Sequence, residues 1–259
     1  MSSRLLLVVA HPDDESFGCG SVLALAAASG VESVVCCATR GEAGECAPGF
    51  DLGTRSLVDV REGELRAAAC ILGVGQLRLL DHHDSGMEGD PERGSLVAAD
   101  PGVLAAEVRD LIDDVRPDVV VTLDGSDGHR DHIAIRDATL EAIRHPGRHR
   151  PSRTYLECLA QENMVRWADH QRELDRYSDY TAAASLGTPA DQITTVIDVR
   201  AQLDQRWEAI RAHGSQTSPF DGLPTDLQEA FLATDHLCRV DPPWTGGPVE
   251  TSLFVVPDR

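Results

Sequence analysis

The 259-residue chain is 42% hydrophobic and has a formal net charge of −20, with 43 acidic residues against 23 arginines and no lysine. That balance argues against a nucleic-acid partner and an anionic lipid surface, both of which need a basic face, and the lack of lysine excludes Schiff-base and P-loop chemistry. No run approaches the roughly 18 apolar residues of a membrane span, the N-terminus shows no leader-like segment, and the seven cysteines lack CxxC spacing, so a cytoplasmic protein with reduced thiols is expected.

Leu5–Val9 is a continuous apolar run, as in a strand buried on both faces. Ser16–Ser29, rich in Ala and Leu, reads as a helix stopped by Gly30, and Val31–Ala38 as the second strand. Leu57–Leu72 is a helix closed by Gly73, and Gln76–Leu80 a short third strand. Pro101–Arg116 opens with proline in a first helical turn and is expected to set Val103, Leu104, Val108, Leu111, Ile112 and Val115 on one face. Asp118–Leu123 follows as the fourth strand and Asp131–Ile143 as a helix. This alternation predicts an α/β, Rossmann-like fold with a mostly parallel sheet and helices on both faces.

Beyond residue 150 the pattern weakens. A strand is expected at Thr154–Cys158, a helix at Glu162–Tyr177, a strand at Ile193–Val199 and a helix at Ala201–His213. Residues 219–259 read as irregular, with a final strand at Ser252–Val256. No linker or repeat divides the chain, so a single domain is expected, with 1–145 as its core and 146–259 completing it and its pocket. The long Gly- and acid-rich segments Gly41–Ser56 and Asp81–Asp100 are expected to border a site.

Residues 10–15 read Ala-His-Pro-Asp-Asp-Glu at the mouth of the first strand. Charges there are costly unless compensated, and a divalent metal compensates them. In a doubly wound sheet, ligands bind beyond the carboxyl ends of the strands where the strand order reverses. In the commonest order the first and fourth strands flank that point. The loop after the fourth strand, Asp124–His132, holds the second histidine–carboxylate cluster, Gly128-His129-Arg130-Asp131-His132. Imidazole with carboxylate suits zinc, iron(II) or manganese, and three protein ligands leave a position for water. A neighbouring carboxylate then takes the water's proton, which adjacent aspartates allow, and His129 is able to polarise a carbonyl or stabilise an oxyanion. Gly18-Cys19-Gly20 has leucine at position 23, so no dinucleotide site is expected.

The paired motifs resemble the LmbE-like, PIG-L-like superfamily of zinc-dependent N-acetylglucosaminyl deacetylases. Thr39–Glu45, Arg61–Leu65, Asp84–Met87 and Arg211–Gln216 extend the likeness over most of the chain, the Asp84 element resembling the mycothiol-pathway branch. The resemblance implies His11, Asp14 and His132 as ligands of Zn2+, with Fe2+ or another divalent metal as the alternative. It implies Asp13 as general base, His129 as oxyanion stabiliser with Asp131 orienting it, Arg61 and Asp84 as holders of sugar or cyclitol hydroxyls, and His213 as a pocket residue. Asp127 stands where the mycothiol-pathway deacetylase has tyrosine, and Arg130 where proline is frequent. The implied reaction is removal of acetyl from an N-acetylated amino sugar or small glycoside. A mycothiol S-conjugate amidase and a deacetylase tailoring a glycosylated secondary metabolite remain alternatives.

Overall fold

Leu5, Leu7 and Val9 face one side of the first strand and Leu6, Val8 and Ala10 the other, and all six are buried. A strand with no solvent face has to lie in mid-sheet under two helical layers. The computed structural model describes residues 3–174 and 186–254. In chain order the elements are β1 (Arg4–Val9), α1 (Asp14–Phe17), α2 (Gly20–Ala28), β2 (Glu32–Cys37), α3 (Leu57–Leu72), β3 (Gln76–Leu79), α4 (Pro101–Val115), β4 (Val119–Leu123) and α5 (Arg130–Arg144). They continue with β5 (Arg153–Cys158), α6 (Gln161–Glu173), β6 (Thr195–Asp198), α7 (Leu203–Ala212), α8 (Thr225–Leu232) and β7 (Thr234–Asp241).

The sheet order is β3-β2-β1-β4-β5-β7-β6. β1 to β5 are parallel neighbours, whereas β7 runs antiparallel to both β5 and β6. The expected α/β architecture is what forms. On one face Leu5, Leu7 and Val9 pack with Val22 and Leu23 of α2, Leu65 and Leu72 of α3 and Ala209 of α7. On the other, Leu6, Val8 and Ala10 pack with Leu104, Val108 and Ile112 of α4 and Ile135 and Ala138 of α5. β1 and β4 are adjacent, with Val8 opposite Thr122, so the segments after Val9 and Leu123 leave the sheet side by side at the point where its order reverses.

The helix ends follow local chemistry. Gly73 takes φ 73° after α3, and Asp100 accepts from the Gly102 and Val103 amides beside Pro101 at the start of α4. Three expectations need correction. The helix expected over Ser16–Ser29 is two helices broken at Gly18 and Cys19, because Arg206 of α7 inserts its guanidinium at the carbonyls of Ser16, Phe17 and Gly18. The region 219–259 is not irregular: it contains α8 and the interior strand β7. Within β7 only Asp235 and Leu237 are buried, so an ion-paired aspartate occupies one of the core positions and hides the strand's alternation. Residues 252–254 form no strand, and Val255 and Val256 lie outside the described residues, as do residues 175–177 of the helix expected to reach Tyr177.

All seven cysteines are free thiols, four of them buried. Among the described residues no helix is long and apolar enough to cross a membrane. The four arginines of the locally basic segment 144–153 each meet a carboxylate: Arg144 Glu141, Arg148 Asp113, Arg150 Asp241 and Arg153 Glu250.

Candidate active site

The turn after β1 is held by its own side chains. Asp14 Oδ2 accepts from the Ala10 and His11 amides at 3.1 and 2.8 Å. Asp13 takes φ 123°, a region that costs a non-glycine residue of order 1–3 kcal/mol. Its amide donates to Glu15 Oε2 at 3.0 Å, its carbonyl accepts from Ser16 and Phe17, and its carboxylate Oδ2 accepts from Arg61 Nη2 at 2.9 Å. Arg61 also donates to the carbonyls of Pro12 and Gly41 at 2.6 and 2.7 Å. A Cβ on Gly41, which has φ 67°, falls 2.3 Å from the guanidinium, so glycine there lets Arg61 reach the turn.

His11, Asp14 and His132 converge. His11 Nδ1 and His132 Nε2 are 3.2 Å apart, His132 Nε2 lies 3.3 Å from Asp14 Oδ1, and His11 Nδ1 lies 3.7 Å from Asp14 Oδ2. Metal–ligand bonds of about 2.0–2.1 Å in a tetrahedron separate neighbouring ligand atoms by about 3.3–3.4 Å. The donor set and its spacing therefore fit a divalent cation. The outward nitrogens are also engaged. His11 Nε2 faces Asp131 Oδ2 at 3.2 Å and Asp84 Oδ1 at 3.6 Å, and His132 Nδ1 faces Asp127 Oδ2 at 2.5 Å. Carboxylates at these positions fix the ring tautomer and raise ligand basicity. Among the described residues, the groups of three potential ligands whose atoms all lie within 4.8 Å of one another are His11, His129 and His132, and His11, Asp84 and Asp131; both share His11, and Asp14 is in neither.

The ionisation states follow. Burial disfavours charge on His11, yet Asp131, Asp84 and Asp14 raise it to about 9. For His132, burial is likewise outweighed by Asp14 and Asp127, which raise it to about 11. Burial pushes Asp14 up, but His132 and His11 hold it well below the usual carboxylate range. Asp13 goes the other way: burial raises it to about 7 despite Arg61 beside it. Burial, with His11 and His132 nearby, lowers His129. His129 caps α5, and its Nδ1 accepts from the Asp131 amide at 3.1 Å. The neutral ring therefore carries its proton on Nε2.

A cavity of about 650 Å3 opens on this turn and is lined by His11, Asp13, Asp14, Asp127, His129 and His132. Arg61, Asp84 and His213, expected to hold substrate, do not line it. Arg61 is spent on Asp13 and two carbonyls, and Asp84 on His11 and the Gly86 amide. The His213 ring is wholly buried, with Nε2 2.7 Å from Glu15 Oε1. Asp131, expected behind His129, instead turns its carboxylate to His11 and the Ser85 amide. Charged groups beneath a turn of this kind are retained by pairing, and these pairs run inward.

Three residues take supporting roles that the sequence did not assign them, two of which, Asp127 and Arg130, stood out there only as departures from the family pattern. Asp127 backs His132. Arg130 donates to the carbonyls of Ser85, Gly86, Glu88 and Gly89 and so anchors the 84–89 loop. Glu64, one turn after Arg61 on α3, accepts from the amide and hydroxyl of Ser215 at 2.8 and 2.6 Å. The sequence signals were slight: a carboxylate five residues before His132, and Arg61 and Glu64 spaced for one face of a helix.

Comparison with known proteins agrees with this geometry. A family model described as PIG-L, GlcNAc-PI de-N-acetylase, matches residues 6–143, which include both histidine–carboxylate motifs. The 1D-myo-inositol 2-acetamido-2-deoxy-alpha-D-glucopyranoside deacetylase of Acidothermus cellulolyticus is 37% identical over 257 residues, covering 89% of this chain and 87% of that protein. Among solved structures, the A40926 pseudoaglycone deacetylase superposes with TM-score 0.61 at 21% identity, covering 92% of this chain and 97% of that one. The 4-carboxy-2-hydroxymuconate hydratase of Pseudomonas putida superposes with TM-score 0.58 at 19% identity, covering 95% and 99%. The fold thus serves more than one chemistry, whereas the family model and the sequence identity bear on this chain directly. With its paired motifs at the β1–β4 switch point and matched across more than half its length, the chain belongs to the PIG-L, GlcNAc-PI de-N-acetylase family.

Proposed function

We propose that this protein hydrolyses the N-acetyl group of a 2-acetamido-2-deoxy sugar or a small glycoside of one, giving acetate and a free amine, with zinc held by His11, Asp14 and His132. The observation that carries the reading is the convergence of His11 Nδ1 and His132 Nε2, 3.2 Å apart, on the Asp14 carboxylate, whose Oδ1 lies 3.3 Å from His132 Nε2, with Asp13 and His129 lining the same cavity. A zinc ion there supplies a Lewis acid that polarises the amide carbonyl and makes water acidic near neutral pH.

The side chains supply the rest. Arg61 engages Oδ2 of Asp13, which leaves the other carboxylate oxygen for the attacking water. Burial sets Asp13 at about 7, so the same group accepts a proton from water and returns it to the departing nitrogen, as efficient acid–base catalysis requires. His129, neutral with its proton on Nε2, donates to the oxygen that gains charge when water adds to the carbonyl. Asp127, Asp131 and Asp84 orient the ligand histidines, and Arg61 positions the base. The free thiols suit a reducing, cytoplasmic setting.

The test combines metal content with a screen of N-acetylated amino sugars, run on the wild type and Asp13→Ala. Zinc near one per chain in both proteins is expected, together with a loss of kcat in the variant of about 10²-fold or more. Undiminished hydrolysis by Asp13→Ala removes Asp13 as the base.

A further inference from the structure

The metal end of the cavity is polar, and its opposite wall is not. Phe17 at the end of α1, Leu159 after β5, Met164 and Trp167 of α6, Phe220 of the loop before α8, and Phe231 of α8 line it. The chain has only 5 Phe, 3 Trp and 3 Tyr, and four of these eleven aromatic side chains meet in this one space. Phe17, Leu159, Trp167 and Phe231 are only partly covered by the clusters they pack on. Glu157 near the end of β5 also lines the cavity, where burial, with Asp124 and Asp235 nearby, pushes its carboxyl well above the usual carboxylate range.

A pyranose stacks its C–H face on one aromatic ring, but its hydroxyl groups laid against the remaining apolar side chains, Leu159, Met164 and Leu223 among them, lose water without gaining hydrogen bonds. The three residues from which sugar contacts were expected all turn inward. Uncovered apolar surface continuous with a catalytic pocket is a ligand-binding feature rather than leftover core. We infer that the substrate carries an apolar group, an alkyl or aryl substituent, which lies along the Phe17–Trp167–Phe220–Phe231 wall while its amide reaches His11, Asp14 and His132. This rests on the amidohydrolase reading above and narrows its substrate class to amphipathic amino-sugar amides.

The apolar group has two chemical sources, the aglycone and the acyl chain, and two substrate series separate them. One is the methyl, butyl and hexyl glycosides of N-acetylglucosamine; the other is methyl glucosaminide bearing acetyl, butanoyl or hexanoyl on nitrogen. The zinc-loaded enzyme is assayed for kcat/KM on each, and binding of the methyl and hexyl glucosaminides, which cannot be hydrolysed, is followed by calorimetry. A buried methylene is worth up to about fourfold. An increase of about 30-fold or more from the smallest to the largest member is expected in one series, and that series identifies the group that meets the wall. In Trp167→Ala and Phe231→Ala the ratio between largest and smallest collapses towards one, and Trp167→Phe retains most of it. Because the readout is a ratio within one protein, partial misfolding does not imitate the result. Turnover with flat kcat/KM in both series and flat binding overturns the apolar site alone, as does an unchanged ratio in both alanine variants. Absence of turnover on every member, with chain-length-dependent binding retained, overturns the amidohydrolase reading and leaves the apolar site standing.

Discussion

His11 and His132 each present one ring nitrogen to the candidate metal position and the other to a carboxylate, Asp131 with Asp84 behind His11 and Asp127 behind His132. Removing such a partner typically costs 10–100-fold in metal affinity. Asp127→Ala is therefore expected to weaken zinc binding by about that factor in a chelator-competition titration, and an unchanged affinity removes Asp127 from the site. In the metal-free protein the neighbouring carboxylates hold His11 and His132 above the usual histidine range, so a cation has to compete with protons for these rings. Metal affinity should accordingly strengthen as pH rises from about 6 to about 9, with proton release visible as a buffer-dependent calorimetric enthalpy. Affinity independent of pH contradicts the assigned ligands. Asp13 and Asp14 were legible as a split pair because they adjoin in sequence. The inward turn of Arg61, Asp84 and His213 was not, since each partner comes from a distant segment.

Helix α1 is only one turn long, too short to hold itself together in isolation. Arg206 of α7 holds its end through the Ser16, Phe17 and Gly18 carbonyls and pairs with Asp235 of β7 at 2.7 Å, both side chains being almost wholly buried. Truncating one partner of a buried pair strands the other, at about 3–5 kcal/mol. Arg206→Ala is expected to lose about that much in urea unfolding. The double change Arg206→Met, Asp235→Leu should recover most of the stability, since no charge is left stranded, while hydrolysis stays low because the α1 carbonyls remain without their donor. Recovery of both stability and activity limits Arg206 to packing. At this scale the parallel core was readable because β1 and β4 are buried runs and α3 and α4 carry their own stop signals. β7 was missed because one of its two buried residues is charged.

Across the molecule, the net charge of −20 makes folding work against its own repulsion. The Debye length falls from about 30 Å at 0.01 M ionic strength to about 8 Å at 0.15 M. Raising sodium chloride over that range should raise the Tm of the zinc-loaded protein by a few degrees, whereas a fall means that surface ion pairs outweigh the general repulsion. The same scale separates two kinds of information. By itself the sequence determined the α/β architecture and the two clusters that meet at its switch point, because strand burial, helix stops and a charged turn after a buried strand are written in contiguous residues. Only the tertiary structure decided which groups face the cavity. A buried charge is retained where some other segment satisfies it, and here those segments lie far away in the chain: Arg61 for Asp13, Asp131 for His11, Glu15 for His213. The aromatic wall opposite the candidate metal position has the same origin, since the segments that supply it, from Phe17 to Phe231, share no local pattern and become neighbours only when the chain closes around the end of the sheet.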